Sequence, residues 1–531
     1  MSRFRCPSYC LVSIAIIAFC AAARAQTAAT IAPLDSARAG HAYEAAAREG
    51  LPALRAFLTE FPKGADLHVH LSGAVYAETF IREAAEDGAC VDTVALAFAK
   101  PPCSDKQISA RELTGNITPA NQVLYDKLIN SFSMRSFVPS AGWSGHDQFF
   151  STFARFGGLK DHTAEWVHEV ANRAAQQNQQ YLELMDTPTF GHAVQIAHAL
   201  GWSPELESGG REAFERFRQQ LLDHGLRDEV TTDREEVRQA EAERRRLEHC
   251  GTAQAGPACQ VEVRFIYQVL RGNAPEQVFA QTLLGFETVQ ASIEAQQGGF
   301  VGINFVMPED GFISMRDYTL QMKMVGYLHS VYPRVHISLH AGELTEGLVP
   351  PEGLRFHVRH AVKMAHAERI GHGVDVMQED KAEALLREMA EGHVMVEINL
   401  SSNEGILGVA GASHPFPAYR AAHVPVALST DDEGVSRIDI THEYQRAALD
   451  YHLSYDDLKQ LARTGMEHNF LPGEDLWAEM DNYTVVMAAC RGQVLGGEKP
   501  SESCKAFLDK SEKAAAEWEL ERRFRAFDST F

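Results

Sequence analysis

A closed parallel (β/α)8 barrel is the fold this sequence predicts, on three observations. From Asp66 onward, short apolar strand-like runs alternate with longer amphipathic helical stretches, and eight such runs stand out. Histidines and acids close several of those runs, at the strand ends where barrels of this kind build their sites. The composition, 45% hydrophobic and 23% charged, is ordinary for a globular chain with one large core. A length of 531 residues alone would suggest several domains, but α/β barrels often run as one oversized domain.

The chain opens with an export signal. Arg3 and Arg5 form a positive start, Leu11 to Ala22 an apolar stretch, and Ala23-Arg24-Ala25 a small-x-small cleavage site, so the mature chain starts at Gln26. The apolar stretch is too short to span a bilayer comfortably, and Phe19 argues against a lipoprotein cut before Cys20. The expected location is therefore periplasmic or secreted, with no membrane partner after cleavage. Residues 26–60 are Ala-rich and read as an N-terminal helical arm. The strands follow in order: ADLHVHL, QYLELMD, VEVRFIYQV, GFVGINFVM, VHISLHA, ERIGHG, HVMVEINL and VPVALST. Between them lie helical stretches such as TAEWVHEVANRAAQQN and DKAEALLREMAEG. Residues 61–531 thus form one barrel domain with insertions at about 85–145 and 187–260. The second insertion carries TTDREEVRQAEAERRRLEH, read most simply as a solvated helix. After Asp450 the chain reads as helical, with one more cysteine loop.

Cysteine usage fits export. Three of the nine fall in the signal, and the other six form local pairs: Cys90 with Cys103, Cys250 with Cys259, and Cys490 with Cys504. Proximity suggests disulfides, with buried thiols as the alternative. The net charge of −23 disfavours phosphate backbones, so nucleic acid is not an expected partner.

The chemistry sits at the strand ends. His68 and His70 are two apart on a strand, so both imidazoles point to one face and can grip one ion. His340 ends the fifth run, with Glu343 in the adjoining loop. A carboxylic acid there can donate a proton at neutral pH if burial raises its pKa; otherwise it is a surface ion-pair partner. His372 lies between Gly371 and Gly373, which leaves room for close backbone approach to a ligand. Asp431-Asp432 places two carboxylates side by side, costly unless a metal or substrate compensates; a turn or helix cap is the plainer reading. Three histidines and an aspartate suit one zinc ion, with other divalent ions open. The fourth run has no Lys and Glu309 lies past its end, which favours one metal over two.

PKGADLHVHLSGA, SLHAGE, RIGHG, INLSSN and STDDEG together resemble the adenosine deaminase family of the metal-dependent amidohydrolases, over roughly residues 60–490. The signal, the insertion after the first strand and DDEGVSR are more similar to its secreted branch, the adenosine deaminase-related growth factors. The resemblance implies that His68, His70, His340 and Asp431 hold one zinc per chain. It implies that His372, helped by Asp431, deprotonates and orients the attacking water, and that Glu343 protonates purine N1. Asp432 would anchor N7, and a backbone N–H near Met307 would approach N3. Gly73 would belong to the substrate-binding set, and a homodimer is implied as well. Ser72 stands where the intracellular branch has an aspartate that holds the ribose 5′-hydroxyl, and Met307 stands where the family has glycine. Glu183 is the candidate replacement for the sugar contact, or else a barrel acid paired with an arginine. Phe149, Phe150 and Phe153 either wall the base pocket or belong to the core.

The leading expectation is an exported adenosine or 2′-deoxyadenosine deaminase that binds a small purine nucleoside. A deaminase of another aminopurine or a modified nucleoside is the second. A nucleoside-binding or signalling protein with vestigial catalysis is the third.

Overall fold

The computed structural model describes residues 33–115, 118–159, 162–296 and 298–531. The signal expected over residues 1–25 lies outside them. Eight strands form one parallel sheet in chain order: β1 (Gly64–His70), β2 (Gln179–Asp186), β3 (Glu262–Leu270), β4 (Phe300–Val306), β5 (His336–Ala341), β6 (Arg369–His372), β7 (Met395–Ile398) and β8 (Val426–Leu428). The sheet closes between its first and last strands. Asp431 accepts from His70 N–H at 3.2 Å and donates its own N–H to His68 O at 2.9 Å, making a parallel bridge between Val69 and Asp431. The expected (β/α)8 barrel is therefore what the chain forms.

The strands are apolar on both faces because helices cover the outside and side chains fill the inside. In β4 the outward Ile303 and Phe305 pack into the helical layer, Gly302 and Asn304 face inward, and Val301 clusters with Ile266 and Phe470. Gly302 is required there: a Cβ would lie 2.9 Å from the Phe470 ring, which fills the barrel floor. Arg369 of β6 crosses that floor, its guanidinium 3.8 Å above the same ring.

Between β1 and β2 the chain makes a three-stranded antiparallel sheet, tied by Cys90–Cys103, and the helices Pro119–Ser131 and Gly145–Phe156. Ser144 starts the second helix through a reciprocal capping box with Asp147. Gly145 lets that helix lie against Leu400–Leu407, since a Cβ would meet Gly405 O at 1.9 Å. The Cys250–Cys259 and Cys490–Cys504 disulfides also form. The charged run in the second insertion is helical over Val230–Leu247 but not simply solvated: Asp233, Val237, Ala240 and Arg244 are buried along one face. The C-terminal region is not all helix either, because Trp477–Glu479 and Asn482–Val486 pair as a hairpin. Phe57 and Phe61 of the N-terminal arm pack on Phe524 and Phe527 of the last helix. Among the described residues, no helix is long and apolar enough to cross a membrane.

Candidate active site

The C-terminal mouth of the barrel brings His68, His70, His340 and Asp431 together, with one donor atom from each lying within 4.8 Å of the others. What aims those atoms is a set of second partners. His68 Nδ1 lies 2.6 Å from Glu397 Oε2, His70 Nδ1 2.5 Å from Gln268 Oε1, and His340 Nδ1 2.9 Å from Asn304 Oδ1. Each acceptor fixes a proton on Nδ1 and leaves the Nε2 lone pair facing inward. The Nε2 atoms of His70 and His340 approach to 3.1 Å, and those of His68 and His70 lie 3.4 and 3.3 Å from Asp431 Oδ1. Buried His68 Nε2 has no hydrogen-bond partner. Lone pairs turned on one another are unfavourable unless a cation lies among them, so this donor set fits a divalent metal ion. Charge agrees. Burial would depress the His68 pKa, yet Asp431 and Glu397 outweigh it and raise it to about 10, a demand for positive charge that a metal would meet.

The paired aspartates are resolved by splitting. Both are buried, which opposes ionisation, but His68 and His70 hold Asp431 well below the usual carboxylate range. Asp432, buried beside ionised Asp431, is pushed well above it and keeps its proton. Ser402 Oγ donates to Asp431 Oδ2 at 2.6 Å. Glu343 is likewise raised well above its ordinary value, first by burial and then by Asp431 and Glu309. Its loop is held by Glu309, which accepts the Gly342 and Glu343 N–H groups at 3.0 and 2.8 Å. His357 and Arg271 keep Glu309 ionised despite burial, at about 2. His372 is fully buried, with Nδ1 3.8 Å from Glu343 and Nε2 3.9 Å from Asp431. Burial chiefly depresses its pKa, to about 3. His372, Asp431 and Met307 all adopt left-handed backbone (φ 70°, 61° and 85°), a strain that side-chain residues carry mainly at functional sites.

A cavity of about 400 Å³ opens over this cluster. Ser72, Thr187, Gln268, Glu343, Asp432 and Met307 line it, and Phe149, Phe150 and Phe153 from the insertion helix form one wall. Three expectations need correction. Glu183 does not line the cavity: it lies on the barrel floor, paired with Arg369 at 2.6 Å and accepting from Tyr181 Oη and Phe470 N–H. The alternative that the sequence offered, a barrel acid paired with an arginine, is what the fold makes of it, with Arg369 as the partner. Gly73 is not a lining residue either. A Cβ there would fall 1.4 Å from Asp432 Oδ1, so its lack of a side chain seats Asp432. The glycines beside His372 make room for protein, not ligand: a Cβ on Gly371 would lie 2.5 Å from His68 Cε1, and one on Gly373 2.3 Å from the Tyr419 hydroxyl. Gln268, Asn304, Glu397 and Ser402 were not singled out in the sequence. For Gln268, Asn304 and Glu397 the available signal was a polar residue inside a largely apolar strand, and for Ser402 its place in the segment INLSSN.

A family profile described as adenosine deaminase matches residues 140–482, a span that leaves out the β1 histidines that the fold brings to the same point. The adenosine deaminase of Escherichia coli strain SE11 is 36% identical over 141 residues, 26% of this chain and 39% of that protein. The chain thus spans well under half the length of the curated relatives it matches. Among solved structures, Arabidopsis ADAL complexed with IMP aligns at 19% identity and TM-score 0.48, over 78% of this chain and 93% of that one. The Arabidopsis N6-mAMP deaminase MAPDA aligns at 20% identity and TM-score 0.48, over 78% and 96%.

Proposed function

The chain belongs to the adenosine deaminase family, and on that premise we propose that it is a zinc-dependent hydrolytic deaminase of adenosine and 2′-deoxyadenosine, releasing ammonia and the inosine product. The observation that carries this reading is the meeting of a three-imidazole, one-aspartate donor set with two further buried acids, Glu343 and Asp432, whose pKa values burial raises. Zinc bound there would supply Lewis acidity, lowering the pKa of a water to about 7. Glu343, neutral in its buried loop, gives its proton to N1 as water adds at C6. Asp431, ionised and held by Ser402, takes the proton released by that water and passes it to the departing amino group, while the proton left on the C6 oxygen returns to Glu343 as the carbonyl forms. Asp432, protonated beside it, donates to N7 and fixes the purine in plane. The aromatic wall excludes bulk water and covers the faces of the base.

The cavity favours a nucleoside over a nucleotide. Among the described lining residues there is no Lys or Arg to meet a phosphate. The groove that adjoins it at Thr187 carries Glu165, Asp186, Glu235, Glu236 and Glu243. Ser72, Thr187 and Gln268 offer neutral contacts to a sugar. Export to the periplasm or medium, from residues 1–25, and a homodimer, from family habit, belong to the same proposal.

The test is the ultraviolet spectrum of adenosine incubated with purified zinc-loaded protein, beside AMP and the Glu343→Gln variant. Conversion of adenosine to the inosine spectrum, with AMP untouched and the variant crippled, is expected. A zinc-loaded protein that leaves adenosine unchanged would overturn the substrate. Ser72 and Met307 support a second reading, another aminopurine or a modified nucleoside, which a substrate panel separates. Tight nucleoside binding without turnover of any panel member would instead favour a binding or signalling role.

A further inference from the structure

One hydrogen-bond chain in the barrel mouth runs away from the metal donors, and it begins at a backbone group. Phe416 N–H opens the helix Phe416–Ala421, so it has no acceptor within its own helix. It donates to His414 Nδ1 at 3.1 Å. A backbone N–H can only donate, so His414 Nδ1 must accept, and the ring proton of His414 sits on Nε2. That nitrogen lies 3.0 Å from Asn403 Oδ1, which accepts the proton. The orientation of the Asn403 amide is thereby settled, because the reverse would set two donors face to face. Its Nδ2 group then points at His372 Nδ1, 2.9 Å away, and donates to it. The Asn399 amide nitrogen approaches the same atom at 3.4 Å. With the Asn403 amide donating to Nδ1, a neutral His372 carries its proton on Nε2. All four side chains are at least 97% buried, so water cannot rescue a wrong arrangement.

We propose that His414 is a positioning residue for this site, fixing through Asn403 the ring proton of His372 on Nε2, where it faces Asp431. This rests on the functional reading above and deepens it. In this tautomer His372 has no lone pair at Nε2, so it cannot receive the proton of the attacking water there. It serves as a donor that orients the oxygen, and Asp431 is left as the proton acceptor. Buried His372 Nε2 has no protein hydrogen-bond partner, as expected of a donor reserved for a group that arrives with the reaction. Placing the tautomer switch on Asn403 also explains a helix that does two jobs. Leu400–Leu407 carries Ser402 to Asp431 and Asn403 to His372 on adjacent residues.

The experiment uses the zinc-loaded full chain with ring-15N-labelled histidine, the His372 signals being assigned by their loss in His372→Asn. Wild type is expected to show His372 protonated at Nε2. Asn403→Asp is nearly isosteric but accepts from both neighbours, so it should draw the His372 proton to Nδ1. With zinc content and KM unchanged, kcat should then fall on the order of 10²- to 10⁴-fold, the scale of a wrong histidine tautomer. His414→Ala should give mixed tautomers and an intermediate loss. His414→Gln, which keeps one acceptor and one donor, should restore most of the activity. A wild-type spectrum with the proton on Nδ1 overturns the proposal, as does an Asn403→Asp protein with the reversed tautomer and undiminished kcat. The nitrogen spectrum needs no substrate, so a wild type that deaminates nothing would fail the functional reading alone.

Discussion

Replacing Glu397 by Gln should cost metal affinity through the tautomer of His68. Glu397 is fully buried on β7 and accepts on both oxygens: Oε2 faces His68 Nδ1 at 2.6 Å, while Oε1 takes Ser338 Oγ–H at 3.0 Å and lies 2.7 Å from Arg369 Nε. Glutamine has one oxygen. The Arg369 cation, buried with it, keeps that oxygen on its own side, so the amide N–H group turns toward His68. Two donors cannot face each other at that distance, and His68 must move its proton to Nε2, the atom that should bind the metal. Loss of a carboxylate behind a ligating histidine costs about 10- to 100-fold in affinity, or about 1.4–2.8 kcal/mol. The assay is competition for zinc against a chromophoric chelator, run beside thermal unfolding of the metal-free proteins to separate ligation from folding. Unchanged zinc affinity in a folded Glu397→Gln protein would refute the argument.

Three further outcomes follow from the same geometry. Because burial and Asp431 raise the Glu343 pKa, the proton it donates is present at neutral pH and lost as pH rises through that value. The kcat profile should therefore fall on its alkaline side, and an alkaline limb that persists in the residual activity of Glu343→Gln would assign it elsewhere. Gly73→Ala puts a Cβ where Asp432 Oδ1 now sits, so turnover should drop by about 10²-fold, the cost of an ångström-scale misplacement, with zinc retained. Full activity in that variant would remove Asp432 from the reaction. Glu183→Gln weakens a buried ion pair with Arg369, so it should lower stability by about 3 kcal/mol in denaturant unfolding. Its KM for nucleoside should not change, and a raised KM would return Glu183 to the substrate site.

The barrel was legible because its strands are unusually plain. Parallel strands are buried on both faces, and β1, β2, β3, β4 and β5 are buried along most of their length, so each reads as an apolar stretch with a few polar residues set into it. The metal donors were legible because each polar residue falls at the C-terminal end of such a run. The supporting residues were not, since their meaning depends on neighbours distant in sequence. Asn304 matters because His340 is on the adjacent strand, and Glu397 because His68 lies across the barrel. Glu183 shows the limit of periodicity. A two-residue repeat says which side chains face inward but not at what depth, and depth separates a floor ion pair from a pocket wall. Gly371 shows the same limit, because nothing local announces that the imidazole of His68 occupies its missing side chain.

The closure between Val69 and Asp431 has a consequence in time. His68 and His70 belong to the first strand of the barrel, and Asp431 follows the last. Synthesis therefore delivers two donors early, His340 considerably later, and the fourth only when the barrel is almost complete. The same short segment that supplies the final donor also joins the two ends of the sheet. A chain cut before Asp431 would have neither a complete ring of strands nor a complete coordination set. Metal uptake is thus an end-of-assembly event, and bound metal in a sample counts finished barrels.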